Sequence, residues 1–103
     1  MLQKFILVLS LITATSIFAH VDSVEEIKAG QPKSVAVLID RIVDCNHWSG
    51  EEPYDNERKK EIQHALARLR CDKLSADEAD AMKKYSKYPK VQKAIEAAKD
   101  IFL

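Results

Sequence analysis

Glycine is nearly missing from this sequence, with two in 103 residues, and there are only three prolines and a single tryptophan. So little glycine leaves no phosphate-cradling loop and few of the tight turns that an all-β chain requires. No segment alternates apolar and polar residues with the two-residue period of a half-buried strand. Net charge is absent too, 16 basic residues standing against 16 acidic ones, so the overall balance gives no electrostatic case for nucleic acid or an anionic membrane. There are no internal repeats and no low-complexity tracts. The main apolar run, Phe5 to Ala19, falls short of the roughly 20 residues that a bilayer-spanning helix needs.

That run has the layout of an export signal. Met1-Leu2-Gln3-Lys4 is a short positive start, Phe5 to Ile12 is apolar apart from Ser10, and Thr13 to Phe18 is smaller and more polar ahead of Ala19. The expectation is a signal peptide over residues 1–19, cut after Ala19. A cut after Ala14 is less suitable because it would leave Ile17 and Phe18 on the mature terminus. Without Lys4 the mature chain carries 15 basic and 16 acidic residues, and no cysteine lies near Ala19 to take a lipid. The expected product is periplasmic or secreted, with no membrane association in its mature form.

Residues 20–103, the 84 that remain, form one domain of marginal size. A chain this short buries little more than about 60% of its unfolded surface, and small exported domains often add a cross-link to compensate. The two cysteines, Cys45 and Cys71, supply one disulfide. It closes a loop of 27 residues, for which chain entropy gives roughly 3.5 kcal/mol.

The rest of the pattern is helical. Ser23-x-x-Glu26 is a capping box for a turn or two that Gly30-Gln31-Pro32 stops. Ser34 is the expected cap of a clearer helix, ending near Asp44, whose face is Val35, Leu38, Ile39, Ile42 and Val43. After a loop, Asp55 caps a helix with Glu57 and Glu61 early, Ile62, Ala65, Leu66 and Leu69 inward, and Arg68 and Arg70 late. Leu74-Ser75-x-x-Glu78 suggests another capping box, for a helix with Ala79, Met82 and Tyr85 inward. A break over Ser86 to Pro89 leads to a last helix with the stripe Val91, Ala94, Ile95, Ala98 and Phe102. The fold class is all-α, a small disulfide-linked bundle of about four short helices with a short leading turn. The mixed charges over Asp55 to Lys60 and Lys83 to Lys93 read as solvated helix faces.

The connection from Cys45 to Asp55 is the densest chemistry in the chain: Cys45, His47, Trp48, Glu51, Glu52, Tyr54 and Asp55, with Gly50 to free the backbone and Pro53 to stiffen the exit. Two antiparallel helices place their carboxyl ends apart, so a Cys45–Cys71 bond predicts that this connection lies back across the second helix and does not project.

Four chemistries compete for it. A metal set of Cys45, His47, His64 and Cys71 is hampered because His64 and Cys71 lie seven residues apart, about 10.5 Å along a helix. An oxygen-rich set of His47 with Glu51, Glu52 and Asp55 matches no calcium-loop spacing. For catalysis, His47 as base and Glu51 or Glu52 as acid find no nucleophile in a recognisable motif, and the domain has little volume for a cleft. Redox work by Cys45 and Cys71 lacks the close Cys-x-x-Cys arrangement that activates a thiol. The remaining reading is an interaction surface, with Trp48 and Tyr54 as amphipathic anchors and Glu51, Glu52 and Asp55 as an acidic rim. A plainer arrangement is also open, in which Trp48 plugs the end of the core and Tyr54 covers the disulfide.

Cys45-x-His47-Trp48-x-Gly50-Glu51-Glu52-Pro53-Tyr54-Asp55, followed by Arg68-Leu69-Arg70-Cys71-Asp72 and a helical tail, resembles a group of small exported bacterial proteins with no assigned activity. The resemblance covers nearly all of residues 20–103 and implies export and a disulfide. The sequence therefore leads to a non-enzymatic accessory protein that uses His47, Trp48, Glu51, Glu52, Tyr54 and Asp55 to bind a protein or cell-envelope partner, with no cofactor and no nucleic acid. The alternative is a small periplasmic metal-binding protein built on His47 and the loop carboxylates.

Overall fold

The computed structural model describes residues 23–101. The expected signal peptide at 1–19, its cleavage point and Phe102 lie outside these residues. All regular structure among the described residues is helical. In order come α1 (Val24–Lys28), α2 (Lys33–Ser49), α3 (Asn56–Arg68), a 3-10 turn (Cys71–Lys73), α4 (Leu74–Lys84) and α5 (Pro89–Lys99).

The apolar spacing of α2 decides the packing. Val35, Leu38, Ile39, Ile42 and Val43 are all buried, as their helical spacing predicts, and they join Val91, Ala94, Ile95 and Ala98 of α5 in one continuous core. Val24 and Ile27 of α1 close one side of it, and Leu74, Ala81, Met82 and Tyr85 of α4 close another. Ala79, expected on the inner face of α4, is exposed; the face turns inward through Ala81 and Met82. Asn46 continues the α2 stripe by one turn as a polar residue. Its Nδ2 donates to the Lys99 and Ile101 carbonyls at 3.2 and 3.4 Å, which satisfies acceptors that the end of α5 leaves open.

Local signals specify most of the boundaries. The Ser23 and Glu26 capping box of α1 is present in both directions, and Gly30, at φ 75°, takes the left-handed turn after that helix. Lys28 Nζ lies 3.1 Å from Asp40, tying α1 to α2. The ammonium is held above its ordinary pKa chiefly by the hydrogen bond it donates to Asp40, so the pair is intact at neutral pH and is lost only as strong alkali removes the proton. Pro89 opens α5 as its first residue.

Three expectations are corrected. Pro32, not Ser34, stands at the N-cap of α2, and Ser34 instead lies within hydrogen-bonding distance of the Tyr85 hydroxyl, at 3.4 Å. Lys73 precedes α4 without a side-chain cap, so Ser75 and Glu78 form no capping box; the 3-10 turn runs straight into the helix and leaves Ser75 inside it. The largest correction concerns α2, which continues through Cys45, Asn46, His47 and Trp48 to Ser49. No proline or glycine interrupts that stretch, and the buried Cys45 and half-buried Trp48 extend its inward face by another turn.

α3 is attached differently from the others. Ile62 and Ala65 are buried, yet neither belongs to the continuous core, and Leu66 and Leu69 are half-buried. Its carboxyl end is fastened to α2 by the Cys45–Cys71 disulfide, whose Cα atoms are 5.7 Å apart. Beside that bond, Arg41 reaches out of α2 and donates from Nε to the Leu69 carbonyl at 3.0 Å and from Nη2 to the Arg70 carbonyl at 3.0 Å. Its Nη1 meets Asp77 of α4 at 2.8 Å. One guanidinium thus spans the end of α3, the turn after it and α4. That turn is built without glycine: Arg70 takes φ 53° and ψ 50°, a left-handed conformation that costs a side chain-bearing residue about 1–2 kcal/mol. Arg41 binds the carbonyls on either side of the Arg70 amide nitrogen and Cα, which helps to hold this conformation.

Two outcomes follow. In Cys71→Ser, stability falls by up to about 3.5 kcal/mol, and amide exchange in residues 56–68 accelerates far more than in α2 and α5. Uniform acceleration across all helices would show α3 to be an integral part of the core. Arg41→Ala, which strands two carbonyls and the Asp77 carboxylate, lowers the unfolding free energy by about 2 kcal/mol in urea titration. An unchanged midpoint would mean that the guanidinium contributes nothing net.

Candidate functional site

Because α2 runs to Ser49, the residues singled out in the sequence divide between a rigid base and an exposed tip. Cys45 is buried in the disulfide. His47 and Trp48 project from the last turn of α2, half-buried, with their rings 5.4 Å apart in an edge-on arrangement. Glu51 is half-buried, whereas Glu52, Pro53, Tyr54 and Asp55 are exposed. The connection therefore projects; it does not lie back across the second helix. Gly50 has φ −92°, a region open to any residue, so its backbone freedom is not what shapes the exit. Asp55 does what its position predicts, accepting the Arg58 N–H at 2.7 Å as N-cap of α3.

Arg58, which drew no attention in the sequence, organises the base. Its guanidinium sits 5.2 Å from the centre of the Trp48 ring, in cation-π range. It also forms ion pairs with Glu51 and, at 2.6 Å, with Glu61. The hydrogen bonds it donates to Glu61, and then to Glu51, raise its already high pKa further, so the charge is fixed at any working pH. The Arg58 and Glu61 pair was legible as an i,i+3 contact on one helix. The Glu51 and Trp48 contacts were not, because they cross a connection whose course depends on where α2 ends.

His47 lies beside this network without joining it. Its Nδ1 is 3.9 Å from Glu51 Oε2, beyond hydrogen-bonding reach, and it is buried without a partner among the described residues. On the far side of Trp48 an open groove of about 610 Å³ runs along α3 between Glu57, Lys60, Glu61, His64 and Arg68. Its lining mixes both signs of charge. Tyr54 is 77% exposed and does not cover the disulfide, while Trp48 packs against α3 and not into the end of the core.

No protein-family model, curated protein or solved structure matches this chain. Chemistry at the site is thus read from its geometry alone. Among the described residues no three His, Cys, Asp or Glu side chains come together as metal ligands. His47 and His64 lie on different helices, and both sulfurs are spent in the disulfide. No nucleophile contacts His47 among the described residues' hydrogen bonds, and its carboxylate neighbour is committed to Arg58. What the arrangement offers is a fixed aromatic and charged platform with a projecting Glu52-Pro53-Tyr54 tip.

The platform has an optical readout. Arg58→Gln removes the cation over the indole and both ion pairs, so Trp48 fluorescence should shift to longer wavelength as water reaches the ring. An unshifted emission maximum would mean that Arg58 does not shield the indole.

Proposed function

We propose that this is an exported accessory protein, periplasmic or secreted, that binds a protein or cell-envelope partner through the surface built from the 45–55 segment. One observation carries the reading: Tyr54 stands 77% exposed at the tip of a connection whose two ends are fixed. The helical turn ending at Ser49 anchors one end. The Asp55 cap and the Glu51–Arg58 ion pair anchor the other. A tyrosine presented from an ordered base loses little conformational entropy on binding, and it offers both an apolar ring and a hydroxyl. Glu52 beside it is exposed and supplies charge for orientation.

Export is supported by the intact disulfide, a bond at home in oxidising compartments, and by the leader pattern of residues 1–19. No helix among the described residues is long and apolar enough to cross a membrane. The metal-binding alternative has no converging ligand set behind it among the described residues.

A photo-crosslinking residue at position 54, in cells that produce the protein, is expected to give a discrete adduct that the same residue at Val37 does not. Val37 is a suitable control, being 52% exposed on α2 away from the connection. The same adducts from both positions, or none from position 54, would remove the basis for this reading.

A further inference from the structure

The large apolar or aromatic side chains most exposed among the described residues are Val37, Tyr54 and Tyr88, and the two tyrosines lie at opposite ends of α2. Tyr88, 59% exposed, belongs to an open groove of about 710 Å³ where the α1–α2 link meets the start of α5. Gln31, Pro32, Lys87, Pro89 and Lys90 form much of the rest of its wall. Gln31 donates from Nε2 to the Lys90 carbonyl at 3.4 Å, which ties the α1–α2 link to the start of α5 and fixes this wall of the groove.

Charge is sharply divided between the two ends. From Ala81 to Ile95 there are five lysines and no Asp or Glu. From Gly50 to Glu57 there are four carboxylates and no Lys or Arg. Glu51 is tied to Arg58 and Asp55 caps α3, which leaves Glu52 without an ion pair among the described residues. An aromatic and proline-walled groove flanked by lysines fits an extended acidic segment bearing an aromatic ring. The chain itself carries one, Glu52-Pro53-Tyr54.

We propose that Glu52-Pro53-Tyr54 of one copy docks in the Tyr88 groove of a second copy. This rests on the reading of the 45–55 segment as a binding surface and names its partner. Tyr54 stacks on the Tyr88, Pro32 and Pro89 wall, and Glu52 meets Lys87 and Lys90. The 17 residues of α2 hold the two surfaces about 25 Å apart, so no chain can fill its own groove. The contact joins unlike surfaces at opposite ends of α2, so it either closes as an antiparallel pair that exchanges both tips or runs on as head-to-tail chains or rings.

The test is sedimentation of the oxidised mature protein over a range of concentrations at low and high salt. The weight-average mass should rise above that of the monomer as concentration increases, and salt should lower it. Glu52→Ala/Tyr54→Ala and Lys87→Glu/Lys90→Glu should each weaken association about tenfold or more. An equimolar mixture of the two variants has one intact tip and one intact groove, so it should stop at pairs, which also shows that both variants fold. A monomer at every concentration, association that ignores these substitutions, or a mixture that stays monomeric would overturn the proposal. If the purified chain is monomeric while position 54 still crosslinks to a different protein, this inference falls and the binding-surface reading stands; if position 54 captures nothing, both fall.

Discussion

A helix has only one apolar face to bury, and in this chain α2 must hold every other helix. Its Val35 to Val43 stripe is used up by α5, with α1 and α4 on the flanks. Little apolar surface remains for α3, whose own buried residues, Ile62 and Ala65, stay outside the common core. The covalent bond between Cys45 and Cys71 and the three-way reach of Arg41 do for α3 what apolar burial does for its neighbours. Removing entropy from the unfolded chain is the economical way to secure an element with a small interface, because it requires no additional apolar surface. The disulfide is thus needed at α3 more than in the bundle as a whole.

That attachment sets the character of the site. Had α3 been sunk in the core, Trp48 would have been buried with it; instead the indole is half-buried, sandwiched by the Arg58 guanidinium and edged by His47. Arg58 belongs to α3, whereas Trp48 belongs to α2, and Glu51 leads from one to the other. The cluster therefore exists only while the two helices stay in register, and that register is set by the disulfide and Arg41. Beyond it the tip is short, with its ends pinned by the end of α2 and the Asp55 cap. Rigidity at the base and exposure at the tip have a single structural origin.

Much of the fold was legible because it depends on short-range periodicity. The α2 and α5 stripes, the Ser23 and Glu26 capping box, the Asp55 cap and the break before Pro89 each follow from residues within a turn or two of one another. The errors came where tertiary contact overrode the local signal. Ser34 and Ser75 look like caps, yet each lies inside a helix that starts earlier, after Pro32 in one case and out of the 3-10 turn in the other. The end of α2 was placed about five residues early because the polar run after Asp44 resembles a loop, whereas Cys45 and Trp48 find partners only when α3 folds against them. The roles of Arg41 and of Arg58 toward Glu51 and Trp48 were illegible for the same reason: those partners lie outside their own helices, and the left-handed turn at Arg70 carries no glycine to announce it. The candidate residues are neighbours in the sequence, but the cation that pairs with Glu51 and covers Trp48 comes from the next helix and becomes visible only once the helices are in place.

Net charge illustrates the same limit in electrostatic form. Equal numbers of acids and bases give no electrostatic case for nucleic acid or an anionic membrane, yet a sum says nothing about arrangement. Five lysines without an intervening acid stand at one end of α2 and four carboxylates without an intervening base at the other. With a screening length of about 8 Å at physiological ionic strength, a ligand at one end does not feel the compensating charges some 25 Å away. What a partner meets is the local arrangement, exposed Glu52 beside Tyr54 at one end and Lys87 and Lys90 beside Tyr88 at the other. A neutral chain divided in this way is complementary to itself in a head-to-tail sense, and its overall neutrality removes the long-range repulsion that would otherwise keep copies apart.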